Sequence, residues 1–378
     1  MQTKKIIIIG AGFAGLTAAK RLAKYRLGAE ITLIDKKAHS DFLPLIPDCI
    51  GRGINSEFLI FDLQKFCQKN IINFIQAEVS SVDLEARNIY IKQRSYNYDY
   101  LLIASGSQTN YFANLDAQSY AYALNNVADV KKIVQNLDSN KFNNFIICGG
   151  GYTGIETASN LWLYFKKKGW SKKIIIVERT SGILGPLPEW MKSYVQDNLA
   201  SMGIEILPNC VIEEVQKNQV KVSAKPIFEE AMLIWVPGVR TADYIQNLLI
   251  DKNPQGRIIV DEYLRVNPSC FCVGDTALFG SKIKFLRMAI QFALYEGNLA
   301  ARNILRDIKG KKLKKFRPVD LGYLIPLANN KSCGVVFGIN LKGLLPTVLH
   351  YVMCIYRSFS LNNRLGIICD LFKIKKSS

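Results

Sequence analysis

The chain has 378 residues, with 49 Lys+Arg against 31 Asp+Glu and a formal charge of +18, a length that suggests about two or three domains. Its 49% hydrophobic fraction excludes disorder as the main state. Residues 302–378 hold 15 Lys/Arg and 3 Asp/Glu, a net +12, which leaves only +6 for the preceding 301 residues. A basic tail on a near-neutral body is not the footprint of a nucleic-acid-binding protein, and no nucleic-acid partner is expected.

The N-terminus, MQTKKIIIIG, runs directly into a glycine motif and is not read as a signal peptide. Residues 5–9 (KIIII) predict a strand buried on both faces. Gly10-Ala-Gly12-Phe13-Ala14-Gly15 follows, then LTAAKRLAKY with helical apolar spacing, then a second strand, EITLID, ending at Asp35. Each glycine has a mechanical reason. Gly10 permits the tight turn, Gly12 lets the backbone approach a pyrophosphate, and Gly15 lets helix and strand pack closely. The helix N-terminus offers its N–H groups to phosphates. Asp35, 20 residues past Gly15, is placed to accept the ribose hydroxyls. A lone GxGxxG would be weak; strand, loop, helix, strand and acid in order predict dinucleotide binding.

The unit recurs 139 residues later. NFIIC (144–148) is a strand, Gly149-Gly-Gly151-Tyr152-Thr153-Gly154 the loop, IETASNLWLYFKKK a helix, and KIIIVE a strand ending in Glu178. Glu178 favours NADH over NADPH, since a carboxylate accepts ribose hydroxyls and repels a 2′-phosphate. Two such units mean two dinucleotides, expected to be a flavin that stays bound and a nicotinamide that comes and goes. The chain reads as an electron-transfer enzyme.

Nine cysteines without CxxC spacing and only two histidines, His39 and His350, predict no metal site and a reducing compartment. No run of 18 uncharged apolar residues occurs, so no transmembrane helix is expected.

With both loops in view, the chain resembles the two-dinucleotide-binding-domain flavoproteins, and within them the type II NADH:quinone oxidoreductases. YDYLLIASG (98–106) looks like the family's motif where the chain leaves the flavin domain, and FCVGD (271–275) like its second flavin fingerprint. HSDFLPLIPDCIG (39–51) resembles the flavin-facing segment, and WVPGV (235–239) the motif beside the nicotinamide. The resemblance makes the first loop the FAD site, with Gly10, Gly12, Phe13, Ala14, Gly15, Asp35, Lys36, Pro44, Leu45, Val79, Ala104, Gly106, Gly274 and Asp275 around that cofactor. It makes the second loop the NADH site, with Gly149, Gly151, Tyr152, Thr153, Gly154, Glu178 and Gly238. MAIQFALYEG (288–297) resembles the quinone-site segment, with Gln291 and Ala293 matching and Tyr295 standing where the family has a glutamine. Gln291 and Tyr295 are therefore the expected quinone contacts. Glu156, in the first turn of the second-loop helix, matches a functional glutamate; an acid kept where a pyrophosphate is expected suggests catalytic work beyond a favourable helix-dipole contact.

Two features bear on rival readings. The CxxxxC pair of disulfide reductases is missing, because position 44 is Pro and position 54 is Ile around Cys49. Sulfide:quinone reductases use flavin-flanking cysteines, for which Cys333 is the candidate, but their nicotinamide loop is usually degraded. A soluble NADH:ferredoxin or rubredoxin reductase and a non-catalytic NADH-sensing flavoprotein complete the set of rivals.

The tail is strongly basic over Lys309–Arg317 (KGKKLKKFR), then apolar over GLLPTVLHYVMCIY (343–356) and LGIICDLF, ending in KIKK. Fourteen residues cannot cross about 30 Å of hydrocarbon as a helix, but they can lie in the interface with Lys/Arg at lipid headgroups. Pro346 marks a first helical turn or a kink. Peripheral, monotopic attachment to an anionic membrane, at the cytoplasmic face of the cell membrane, is the expectation, with a homodimer interface as the competing use of the apolar face. The fold expected is α/β: two Rossmann-like domains of the glutathione-reductase-like FAD/NAD(P) type plus a C-terminal amphipathic membrane-binding segment. The FAD domain is placed at 1–115 and 250–320, the NADH domain at 116–249, and the membrane-association region at 321–378.

Overall fold

A computed structural model describes residues 3–280 and 286–373; the last basic residues of the tail, Lys375 and Lys376, lie outside them. The chain divides into two compact units, one formed by 1–40, 62–108 and 239–320, the other by 41–61, 109–238 and 321–378.

The first unit is built on a six-stranded sheet in the order Arg265–Asn267, Cys270–Cys272, Tyr100–Ile103, Lys5–Ile9, Glu30–Asp35, Asn73–Gln76. All pairs are parallel except the antiparallel edge at Arg265–Asn267. Lys5–Ile9 is central, with Ile8 level with Leu33 on one neighbour and Leu102 on the other. Its isoleucine run is what a strand covered on both faces requires; Ile6, Ile8, Leu33 and Leu102 are fully buried. Each such side chain is worth about 1.5–3 kcal/mol of transfer free energy. Helix Phe13–Lys24 lies against helix Ile290–Ile308, close enough that a Cβ on Gly297 would sit 2.2 Å from the Ala14 carbonyl oxygen.

The second unit repeats the plan with a five-stranded, wholly parallel sheet: Tyr122–Ala123, Ala231–Trp235, Asn144–Cys148, Lys173–Val177, Glu205–Leu207. Ile146, Ile175 and Leu233 form the centre of its core. Helix Tyr152–Lys168 ends at Gly169 in the left-handed conformation (φ +67°) after three lysines in its last turn, a C-terminus matched to both backbone geometry and helix dipole.

Residues 321–373 are part of this second unit. Strands Gly322–Ile325, Ser332–Val336 and Ile339–Gly343 make an antiparallel meander that the apolar pattern of the chain does not announce. Helices Leu344–Arg357 and Leu361–Lys373 follow, with Pro346 in a first turn, one of the two positions expected. Asn363 ties the last helix down: its buried amide donates to the Phe58 and Ile60 carbonyls at 2.6 and 2.9 Å. Gly366 allows contact with the Phe58 ring, whose nearest atoms would lie 2.4 Å from an added Cβ. The basic run Lys309–Arg317, by contrast, is strapped to the first unit. Asn303 exchanges hydrogen bonds of 2.9 Å with the Lys314 backbone, and Phe316 is buried against Phe279 and Tyr295. Among the described residues, no helix is long and apolar enough to cross a membrane.

Replacing Asn363 by Ala removes two hydrogen bonds to partly buried carbonyls, each worth about 0.5–1.5 kcal/mol. The expected outcome is a thermal midpoint lowered by several degrees, read by calorimetry, together with faster proteolysis of the last helix; an unchanged midpoint would show that the terminal helix is not anchored there.

Candidate functional site

The first glycine loop has the mechanics its spacing implies. Gly10 has φ +101°, and an added Cβ would meet the Ala104 carbonyl oxygen at 2.3 Å. A Cβ on Gly15 would lie 1.9 Å from the Gly10 carbonyl oxygen, whereas one on Gly12 would meet nothing within 4 Å. Gly10 and Gly15 are thus required by the protein itself, and Gly12 faces open space. Helix Phe13–Lys24 has no side-chain cap at its N-terminus, so its first-turn N–H groups are left to a phosphate. Asp35 receives the Ala11 N–H at 2.7 Å and the Lys37 N–H at 2.9 Å, which fixes the acid over the loop. Lys36 pairs loosely with Glu78 at 3.9 Å, and Val79 and Ala104 are buried.

The second loop matches this arrangement contact for contact. Gly149 has φ +109°, Gly154 would place a Cβ 1.9 Å from the Gly149 carbonyl oxygen, and Gly151 again has nothing within 4 Å. Glu178 accepts from the Gly150 N–H at 2.7 Å and from the Thr180 N–H and hydroxyl at 2.8 Å. Thr153 gives its carbonyl to Thr157, and the Tyr152 ring meets Tyr323 edge-on. Gly238 is met by the Phe112 ring and accepts from the Asn110 N–H at 3.0 Å; Trp235 Nε1 donates to the Asn110 carbonyl. Both cradles, open at the middle glycine, uncapped at the helix and edged by a fixed carboxylate, fit a dinucleotide.

In the first unit, Gly274 (φ +71°) would bring a Cβ within 3.3 Å of Ala14, so the second flavin fingerprint lies beside the first loop. Asp275 accepts from the Ser107 hydroxyl at 2.9 Å. Burial raises its carboxyl above the ordinary range, against the Ser107 hydrogen bond and the Arg257 charge. Sequence reasoning missed its neighbour Glu296, which is buried and accepts from the Gly274 N–H at 2.6 Å. Desolvation pushes Glu296 up to about 8, although that hydrogen bond and Arg257 oppose it. The signal was in the helical period: Phe292, Ala293, Glu296, Gly297, Ala300 and Ile304 share the buried face of Ile290–Ile308, so an acid stands on an apolar stripe. On the same helix the Gln291 amide donates to Asp320 at 3.0 Å, and Tyr295 lies against Phe316 at the surface.

Glu156 belongs to a different group, in the second unit. Helix Ile46–Gly51 packs on helix Tyr152–Lys168 through Gly51, where a Cβ would sit 2.4 Å from the Asn160 carbonyl oxygen. That approach brings Asp48 toward Glu156. Burial, and then the Asp48 charge, hold Glu156 well above the usual carboxylate range. Its backbone carbonyl accepts from Ser159 and Asn160, both at 3.0 Å, but its carboxyl accepts no hydrogen bond among the described residues. Asp48 is itself held: the Tyr351 hydroxyl donates to it at 2.7 Å, and Arg52 Nε lies 3.2 Å away without hydrogen-bond alignment. The Arg52 guanidinium stacks 4.9 Å from the Tyr351 ring centre and donates to Asn330 at 2.8 Å. Desolvation also lowers His350, keeping the imidazole toward its neutral form. Pro44 and Leu45 sit in the short turn Leu43–Leu45 just before Asp48. Cys333 is buried on the middle strand of the meander, and burial pushes its thiol up to about 12, the reverse of what a nucleophilic thiolate requires.

A family model described as pyridine nucleotide-disulphide oxidoreductase matches residues 4–297. A type II NADH:quinone oxidoreductase from Staphylococcus aureus is 25% identical over 90% of this chain and 91% of that protein. Among solved structures, NDH2 from Plasmodium falciparum in complex with NADH superposes with a TM-score of 0.86 at 19% identity, covering 99% of this chain and 98% of that one. The sulfide:quinone oxidoreductase of Aquifex aeolicus gives a TM-score of 0.79 at 18% identity over 96% of this chain and 92% of that one. The last two likenesses establish the fold.

Glu296 provides a pH test. Its folded value of about 8 lies above the ordinary 4.5, so the folded state holds a proton that the unfolded chain has lost, and stability falls as pH rises across that window. Glu296→Gln keeps an acceptor for Gly274 and removes the titration. Thermal unfolding between pH 5 and pH 8 is expected to show a shallower decline in the variant; parallel pH profiles would mean Glu296 is ionised in the fold.

Proposed function

The chain belongs to the pyridine nucleotide-disulphide oxidoreductase family, and within it we propose a type II NADH:quinone oxidoreductase, which oxidises NADH with FAD as its bound cofactor and delivers two electrons to a membrane quinone. The supporting observation is the pair of matched dinucleotide cradles, each edged by a carboxylate fixed to its own loop, in a chain whose curated relative along nearly its full length has that name. In the net reaction NADH, a proton and quinone become NAD⁺ and quinol, and no proton is pumped. FAD, when bound, supplies the hydride-accepting and electron-releasing chemistry.

The protein's part is to bind, orient and hold protons. Gly10, Gly12 and Gly15 with Asp35 hold one dinucleotide and Gly149, Gly151 and Gly154 with Glu178 the other; hydride transfer needs alignment and exclusion of water rather than an acid. Asp275, accepting from Ser107, is assigned to the flavin's ribityl and pyrophosphate region. Glu156, raised well above the ordinary carboxylate range by burial and by Asp48, is assigned as a proton source for the reduced quinone. Gln291 and Tyr295 are assigned to orienting the quinone oxygens. The sulfide reading is weaker, since its candidate thiol is buried and raised.

Attachment to an anionic membrane is supported by the outer face of helix Leu344–Arg357. Leu344, Leu345, Val348, Val352 and Tyr356 are exposed along one stripe, joined by Leu361, Leu365 and Phe372 of the next helix. Pro346, Thr347 and Cys354 face inward. Such a face inserts shallowly into a bilayer, the place where a quinone is met. NADH is an intracellular cofactor, which assigns attachment to the cytoplasmic side.

Two experiments test this reading. Under anaerobic conditions, NADH is expected to bleach the flavin absorbance and a menaquinone or ubiquinone analogue to restore it. No bleaching removes the dehydrogenase assignment, and bleaching without recovery on quinone points to a soluble acceptor such as ferredoxin. The Val348→Gln/Val352→Gln variant is expected to keep bleaching but to sediment at least about tenfold less with anionic vesicles, since each apolar side chain withdrawn from the interface costs about 1.5 kcal/mol or more. Unchanged sedimentation, with a dimer dissociating to monomer instead, would assign the stripe to self-association.

A further inference from the structure

On the first unit, a cavity of about 210 Å³ opens between the C-terminal parts of helices Phe13–Lys24 and Ile290–Ile308. Its lining carries Arg21, Arg302, Arg306, Lys309 and Lys311, with Tyr25, Leu27 and Leu305 completing the wall. Five cations meet there without a carboxylate in the lining. Among the described residues Arg21 bonds only to a neutral amide, the Asn298 side chain at 2.8 Å, and Arg306 to a backbone carbonyl, that of Lys312, at 2.5 Å. Arg302, Lys309 and Lys311 have no side-chain hydrogen bond or ion pair among the described residues. Arg21 Nε is buried with no acceptor among the described residues, although its guanidinium is positioned, 5.4 Å from the Tyr25 ring centre.

An ordinary helix surface would not keep this pattern. Arg302 and Arg306 stand four residues apart on one face, where like charges cost about 0.2–0.5 kcal/mol, and Arg21 from the facing helix adds to the repulsion. Complementing helix dipoles accounts for Arg21 and Arg306, both in last turns, but that effect fades within one turn of the end. Arg302 lies deeper in its helix, and Lys309 and Lys311 lie beyond it. The cavity is below the roughly 300–1,000 Å³ of sites for larger ligands, which excludes a dinucleotide and suits a small anion. Arginine forks recognise phosphate oxygens bidentately, with lysines adding point charge.

We propose that this cavity is an anion site for a phosphomonoester, separate from both dinucleotide cradles, with Arg21, Arg302 and Arg306 as its hydrogen-bonding groups. The apolar wall of Tyr25, Leu27 and Leu305 accommodates the carbon skeleton. The same chemistry is offered by a soluble sugar or glycerol phosphate and by the headgroup of phosphatidic acid.

The test uses the full-length flavin-loaded protein and titration calorimetry with two probes: glycerol 3-phosphate, and dihexanoyl phosphatidic acid below its micellar concentration. Saturable 1:1 binding of either is expected. Binding of both with equal affinity supports a free phosphate ligand, and tighter binding of the lipid supports a headgroup. In Arg302→Gln/Arg306→Gln the affinity is expected to drop at least about tenfold, as loss of charge-assisted hydrogen bonds requires, with NADH-driven flavin bleaching unchanged. Lys309→Gln/Lys311→Gln, outside the helix, is expected to weaken binding even if the arginine pair proves destabilising. The charge-matched Lys141→Gln/Lys217→Gln, on exposed positions of the other unit, is expected to bind as the parent does. An equal loss in that control, or no saturable binding of either probe, overturns the site.

Discussion

The carbonyl oxygen of Gly10 lies where the first carbon of any side chain at position 15 would have to go, and the Gly149 carbonyl stands in the same relation to position 154. This close approach of turn and helix is what brings a helix N-terminus over the end of a parallel strand. Both dinucleotide cradles depend on it. The uncapped helix end faces the ligand, the middle glycine leaves room for it, and the next strand delivers Asp35 or Glu178 back onto the loop. Each acid is thereby oriented by a backbone N–H, as its proposed role as a ribose ligand requires.

The buried carboxylates divide into two electrostatic settings. Asp48 accepts from a tyrosine hydroxyl and lies beside a guanidinium, whereas the Glu156 carboxyl lacks such partners and is raised well above the usual carboxylate range by burial and then by Asp48. Glu296 has one strong backbone donor, yet burial still dominates. A carboxyl kept neutral near physiological pH is a stored proton, whereas one fixed by donors is a recognition element. The tie from Tyr351 to Asp48 also gives helix Leu344–Arg357 two roles, an outer apolar stripe and an inner polar contact with the segment next to Pro44 and Leu45.

Much of the candidate site was legible because it is local. The strands 5–9, 30–35 and 144–148 run as their apolar runs imply, and the loops follow from glycine stereochemistry, which needs no distant partner. The tail was legible in pieces. Its two apolar stretches form helices as their composition implied, but the basic run that precedes them is strapped to the first unit through Asn303 and Phe316. Charge and apolar surface that looked like one continuous segment therefore lie in different units. The meander between them escaped notice because its strands are short and begin at Gly322, whose φ of +105° disguises a strand start.

The sequence alone determined that this protein holds two dinucleotides, since that property is written in spacing over about thirty residues at a time. It also carries an odd number of cysteines without CxxC spacing and no run of 18 uncharged apolar residues. Only the tertiary structure decided the surroundings of the buried acids, because Glu156 is raised in part by Asp48, more than a hundred positions away, and Asp48 accepts from Tyr351, three hundred further. It alone gathered Arg21 with Arg302 and Arg306 around one cavity. Charge density is a property of composition, but the field at a point depends on which charges the fold brings within a few ångströms and which it leaves without partners.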